Sequence, residues 1–222
     1  MLEVILDTET TGLSTADNHR IVEIGCIELK NQIATNNIFH QYINPKRSVS
    51  EEAYKVHGYS DKFLSDKKFF LEISDSFINF IKEKKLIIHN ANFDLSFLNY
   101  ELSLVKKEKI NIDNIIDTLE ISRQKYPGGQ NSLDALCKKF NIDNSKRNKH
   151  DAITDCKLLR EVYINLLDQK EPKLNLHSQE IVTLEQNDQS NKKSGIIIKP
   201  TEEEIILHKK FLKSHLNKNY FN

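Results

Sequence analysis

The amino-acid sequence predicts a mixed α/β fold, one sheet flanked by helices. Two observations lead there. Short β-branched runs crowd the first 43 residues with only turn-length gaps between them, and beyond residue 69 helical and strand patterns alternate. Residues 4–6, 21–29 and 38–43 are apolar, bounded by polar positions, and read as three strands. The stretch 10–20 holds Gly12, Asp17 and Asn18 and reads as a turn. Connections this short favour an antiparallel meander. After Pro45 the period changes. Ser50, Glu51 and Glu52 open a short helix ending near Gly58, and over 69–81 Phe69, Ile73, Phe77 and Phe80 share one helical face. Residues 86–88 form a fourth strand, followed by a helix over 92–104 with Leu95, Leu98 and Leu102 aligned. A fifth strand is expected over 110–116, then helices around 119–125, 132–140 and 152–167. This alternation favours parallel pairing in the second half.

Composition changes near Asp168. Residues 168–195 are rich in Lys, Gln, Asn, Ser and Glu, lack Phe, Tyr and Trp, and read as a flexible polar linker. Apolar content returns in 196–222, where Thr201 and Glu204 form a T-x-x-E capping box that should start a helix. The expected organisation is a folded domain over 1–167, a linker over 168–195 and a C-terminal segment over 196–222.

Lys and Arg number 32 and Asp and Glu 32, so the formal net charge is zero. That argues against a protein held to nucleic acid by bulk charge, while leaving room for a local basic groove. No window approaches ~18 consecutive apolar residues, and the first residues have no basic stretch before their apolar run. The three cysteines, Cys26, Cys137 and Cys156, are far apart and odd in number, so a disulfide framework is not expected and a cytoplasmic location is. The sequence has no phosphate-loop, dinucleotide, helix-borne zinc or nucleophile-elbow signature.

Three acidic positions stand out. Asp7 and Glu9, two apart on the first strand, project to the same face at its C-terminal end, where open α/β sheets keep their ligands. Adjacent carboxylates repel unless a cation compensates, and hard oxygen donors suit Mg²⁺ or Mn²⁺. An acidic strand end turning into solvent is an equal alternative. In His89-Asn90-Ala91-Asn92-Phe93-Asp94, Asn92 can be a helix N-cap and Asp94 a first-turn acid without any catalysis. His150, five residues before Asp155 at the start of the last long helix, can likewise be a solvated imidazole.

Together, D-x-E-T-T-G at 7–12, H-N-A-x-F-D at 89–94 and H-x-A-x-x-D at 150–155 resemble, in order and spacing, the three motifs of the DEDDh family of 3′→5′ exonucleases. The resemblance covers about residues 1–167 and is greatest to the family's replicative proofreading branch. It implies a ribonuclease H-like fold, a five-stranded mixed sheet with antiparallel early strands. It also implies that Asp7, Glu9, Asp94 and Asp155 hold two divalent metals, Mg²⁺ or Mn²⁺, with His150 as the general base. Asp151, which the motif does not require to be acidic, is assigned to the helix dipole.

The same resemblance places the 3′ end of DNA against Asp7, Glu9, Thr10, Thr11, Gly12, Leu13, Asn90, Phe93 and Asp155. Glu52 and His57, in a segment similar to the one that holds the terminal nucleotide in that branch, would engage its sugar and phosphate. Phe93 can stack on a splayed base or pack in the core. Lys146, Arg147 and Lys149 form the best local basic patch for the incoming strand, or a plain solvated charge run.

A proofreading nuclease implies a polymerase catalytic subunit as partner. Ile205, Leu212 and Leu216 fall on one stripe of the tail helix and Leu207 and Phe211 on another, and these five are the expected polymerase contacts. The segment 171–176, with Leu174 and Leu176, loosely resembles a sliding-clamp-binding hexapeptide, with Glu171 where Gln usually stands. Two alternatives stay open: an RNA-trimming exonuclease of the ribonuclease T kind, and a non-catalytic scaffold. Thr10 stands where oligoribonucleases typically have Met, and a scaffold should lack at least one of the four acids.

Overall fold

The structure is a computed structural model and describes residues 2–145, 147, 149–167 and 201–215, with side chains in the last segment described to Leu212. The expectations for the 168–195 linker, for Lys146, and for Leu174, Leu176 and Leu216 lie outside the described residues. The chain divides into two units at Leu174/Asn175.

In the first unit five strands form one sheet in the order β3-β2-β1-β4-β5. The strands β1 (Leu2–Thr10), β2 (Ile21–Lys30) and β3 (Ile33–Tyr42) pair antiparallel, as their short connections require. β4 (Lys85–Ile88) adds parallel to β1, and β5 (Ile115–Asp117) parallel to β4. The helices are α1 (Glu51–His57), α2 (Asp61–Leu64), α3 (Phe70–Ile81), α4 (Ala91–Leu104), α5 (Thr118–Lys125), α6 (Leu133–Phe140) and α7 (Ala152–Leu166). This is the ribonuclease H-like mixed sheet that the sequence predicts.

Period-two alternation along β1 builds two cores. Val4 and Leu6 point to one face, where they join Ile24, Cys26, Ile88, Phe77, Phe97 and Leu98. Ile5 points to the other, against Ile27, Cys156, Leu159 and Tyr163. Phe77 and Phe97 are fully buried, each contributing roughly 1.5–3 kcal/mol. The three cysteines are buried free thiols.

Three local expectations are corrected. Phe69 is the N-cap of α3 and exposed, and Phe70 takes the buried position. α4 begins after Asn90, not Asn92, and its N-cap side chain makes no capping bond. Asp117, at the end of β5, accepts from the backbone N–H groups of Asn90 (3.1 Å) and Ala91 (2.9 Å) instead. The fifth strand is shorter than 110–116 because residues 112–114 close into a 3-10 turn, capped when Asn111 accepts from the Asp113 N–H.

In the second unit α8 (Glu202–His215) starts at the expected capping box. The Glu204 N–H donates to Thr201 Oγ1 (3.3 Å) and the Thr201 N–H to Glu204 Oε2 (2.8 Å). Ile205, Leu207 and Phe211 are exposed, as is Ile206, whereas Leu212 is buried.

Candidate active site

The same alternation that splits the core also builds the site. Residues 5, 7 and 9 of β1 face α7, and residues 4, 6 and 8 face α4. Parallel pairing with β4 ends at Ile5, so Asp7 and Glu9 project beyond it. Thr8, on the α4 face, donates both its backbone N–H (3.1 Å) and its hydroxyl (2.7 Å) to Asp94 Oδ1. Asp94 is thereby fixed in the first turn of α4, directly beside β1.

On the opposite face, Gly25 is the cross-strand partner of Asp7. A Cβ at Gly25 would sit 2.7 Å from the Ala152 carbonyl carbon, so only glycine lets the start of α7 lie this close to the sheet. Glu23, the cross-strand partner of Glu9, is fully buried. It accepts from the Ala152 N–H (3.0 Å) and the Tyr59 hydroxyl (2.9 Å), and its other oxygen lies 2.6 Å from His40 Nε2. Asp151 caps α7 through the Thr154 N–H (2.9 Å), which is the helix-terminal role expected of it. Asp155 then points from the first turn of α7 back at Glu9. The ligand atoms of Glu9, His150 and Asp155 lie within 4.8 Å of one another.

The electrostatics are those of a site that needs a cation. Asp7 keeps some accessible surface but is deeply enclosed; burial, then repulsion from Asp94, Glu9 and Asp155, pushes its carboxyl well above the usual range. Glu9 is pushed up to about 9 by burial and by Asp155, Glu23 and Asp94. Burial raises Asp94 to about 7 against the hydrogen bonds from Thr8. Asp155 goes the other way: burial opposes its charge, but His150 and Arg147 together hold it below the ordinary carboxylate value. Converging carboxylate oxygens that repel one another suit hard divalent ions, so the residues fit the metal that the motifs imply.

Next to the acids lies a cleft of about 610 Å³, lined by Thr8, Glu9, Thr10, Gly12, Leu13, Glu52, His57 and Phe93 among others. Leu13 is 85% exposed at its rim. Thr10 and Thr11 hold the loop: Thr10 Oγ1 donates to the Gly12 carbonyl (2.7 Å), and Thr11 Oγ1 accepts from the Arg20 N–H (3.0 Å). Phe93 has both of its expected surroundings, packing on Phe97 with ring centroids 5.0 Å apart while lining the cleft. Glu52 is exposed there.

His57 is buried, and both its ring nitrogens are engaged by backbone. Nδ1 accepts from the Tyr59 N–H (3.0 Å), so Nε2 carries the proton and donates to the Thr10 carbonyl (3.2 Å). It lines the cleft and braces its wall through these two contacts. Asn90 lies elsewhere, in a second cleft with His89, Arg123, Gly129 and Asn131.

The basic patch is also corrected. The Arg147 side chain is only 7% exposed. It donates through Nε and Nη2 to the two oxygens of Asp155, both at 2.5 Å, and through Nη1 to Asp134 (2.6 Å). Lys149 Nζ donates to the Lys55 carbonyl at 3.3 Å. The residues that sequence patterns missed are Glu23, Asp117 and the true partners of Arg147. The run 21–29 carries two acids, Glu23 and Glu28, and nothing in the sequence sets Glu23 apart from Glu28.

A family model described as "Exonuclease" matches residues 4–163. DNA polymerase III subunit epsilon of Rickettsia felis is 48% identical over 221 residues, covering 96% of each chain. The Escherichia coli K12 protein of the same name is 46% identical over 169 residues, covering 73% of this chain and 70% of its own length. Among solved structures, exonuclease X in complex with 5′ overhanging duplex DNA superposes with a TM-score of 0.60 at 25% identity, covering 75% of this chain and 92% of its own. The nuclease domain of 3′hExo, a DEDDh family member bound to rAMP, gives 0.66 at 19% identity, with 76% and 92% covered, a likeness of fold. This chain belongs to the exonuclease family, of the DEDDh type, whose members include DNA polymerase III subunit epsilon.

Proposed function

We propose that this protein is the 3′→5′ proofreading exonuclease subunit of a replicative DNA polymerase. The observation that carries the reading is the convergence of Asp7, Glu9, Asp94 and Asp155 at the end of the central strand, with His150 beside them. The four carboxylates would hold two Mg²⁺ or Mn²⁺ ions, matching four negative charges with four positive ones. Such ions, when bound, stabilise the charge that develops on the attacking and leaving oxygens of a phosphoryl displacement.

The protein's own groups do the rest. Leu13 and Phe93 wedge and support the terminal base in the cleft, while Thr10, Thr11 and Gly12 present the loop backbone to the terminal nucleotide. His150, its side chain 42% exposed at the edge of the acidic cluster, accepts a proton from the attacking water. Water adds to the phosphorus, and the P–O3′ bond breaks. The products are a nucleoside 5′-monophosphate and a shortened strand whose 3′ oxygen takes up a proton.

No helix among the described residues is long and apolar enough to cross a membrane, and replication places the protein in the cytoplasm. The segment 196–222 would attach to the polymerase catalytic subunit through exposed α8 side chains such as Ile205, Leu207 and Phe211. The 168–195 linker would make delivery of a frayed primer end effectively intramolecular. Leu174 and Leu176 remain the proposed sliding-clamp contacts. The test compares rates on 3′-mispaired primer–template DNA and single-stranded RNA of the same sequence, with and without the polymerase subunit. Faster removal from mispaired DNA supports the reading; preference for RNA moves the protein to the RNA-trimming branch.

A further inference from the structure

Arg147 stands out because a guanidinium occupies both oxygens of an acid that the metal reading requires. Its two bonds to Asp155 are 2.5 Å each, it is anchored behind by Asp134 on α6, and it is almost wholly shielded from solvent. Arginine does not deprotonate in proteins, so this charge cannot be removed by pH; it can only move. A divalent ion binding an Asp155 oxygen at about 2.0–2.6 Å competes for the same lone pairs.

A second bond couples this contact to the base. Arg147 Nη2 lies 2.8 Å from His150 Nδ1. A guanidinium only donates, so in this contact Nδ1 accepts and the neutral ring carries its proton on Nε2; the same nitrogen lies 3.4 Å from Asp155 Oδ2, its partner when the ring is protonated. In this arrangement neither ring nitrogen offers a free lone pair to a water molecule.

We infer that Arg147 is a displaceable counter-cation. It neutralises and positions Asp155 in the metal-free protein, gives Asp155 up to the incoming divalent ion, and in leaving frees His150 Nδ1. The site is thereby kept from collapse by repulsion without metal, and the base becomes available together with the metal. Arg147 is a positioning residue, and this role rests on the two-metal reading above.

The test uses the full chain as wild type, Arg147→Gln and Arg147→Lys. It follows Mn²⁺ alone by the electron paramagnetic resonance of the free ion, and thermal unfolding with and without Mn²⁺. Removing the competitor should tighten Mn²⁺ binding by about tenfold or more in Arg147→Gln, with a smaller gain in Arg147→Lys, whose ammonium cannot form the two-pronged contact. The metal-free Arg147→Gln protein should melt below wild type, and the gap should close at saturating Mn²⁺. Unchanged or weaker Mn²⁺ binding in both variants would overturn the proposal, as would a melting gap of equal size with and without metal, which marks a purely structural ion pair. If wild type takes up no Mn²⁺, the metal reading falls and this inference with it; if wild type binds and both variants merely match it, the inference alone falls.

Discussion

Two arginine–carboxylate pairs in this molecule share a geometry and differ in everything around it. Arg20 donates to both oxygens of Glu101 at 2.7 and 2.6 Å, and the Ile21 N–H adds a bond at 3.3 Å. This joins the start of β2 to α4. Arg147 grips Asp155 in the same two-pronged way. Glu101 has a backbone donor besides its arginine, whereas Asp155 shares its surroundings with Asp7 and Glu9. The bond geometry alone therefore does not distinguish a permanent clamp from a temporary one. What distinguishes them is the neighbouring charge, because only crowded acids have a use for a second cation.

Within this comparison the largest expected effect is at the base that the labile pair covers. His150→Ala should lower exonuclease turnover by ~10²–10⁴-fold with Mn²⁺ affinity little changed, and the rise of rate with pH expected of wild type should vanish. Loss of DNA binding in place of turnover would move His150 from chemistry to positioning. Next comes the permanent pair. Glu101→Ala leaves a half-buried guanidinium and the Ile21 N–H without their partner and should cost about 1–3 kcal/mol of stability, equally with and without Mn²⁺. Recovery of that loss on adding Mn²⁺ would erase the distinction between the two pairs.

The smallest effect is a slope. In the metal-free protein Glu9 titrates near 9, up from an ordinary 4.5, and Asp94 near 7, up from 3.8. Between those limits the folded state holds protons that the unfolded chain has released, so stability falls as pH rises through the window. Saturating Mn²⁺ should flatten the fall, and melting curves across about pH 5 to 9 measure both slopes. A metal-free stability that rises with pH over this range contradicts the crowding on which the comparison rests.

Much of this was legible in the sequence, for physical reasons. Period-two alternation put Asp7 and Glu9 on one face, and the two acids near helix starts, Asp94 and Asp155, were visible by position. The T-x-x-E box placed the start of α8 correctly. Pairings distant in sequence were not legible. Asp117 caps a helix that begins 26 residues before it, since its carboxylate meets Ala91 only across a strand pairing. Arg147 lies in a run of charges that, in a chain, looks solvated; its burial depends on α6 bringing Asp134 alongside. Gly25 shows no pattern of its own, and its meaning appears only when α7 is found lying on it.

The most direct measurement follows a 5′-labelled primer with a mispaired 3′ end, incubated with wild type in Mg²⁺, with wild type in EDTA, and with Asp7→Ala in Mg²⁺. The account predicts stepwise shortening from the 3′ end in the first reaction only, with Asp7→Ala slower by several orders of magnitude while still folded. Shortening that persists in EDTA, or an Asp7→Ala protein that keeps more than about a tenth of wild-type turnover, would contradict the metal-centred site.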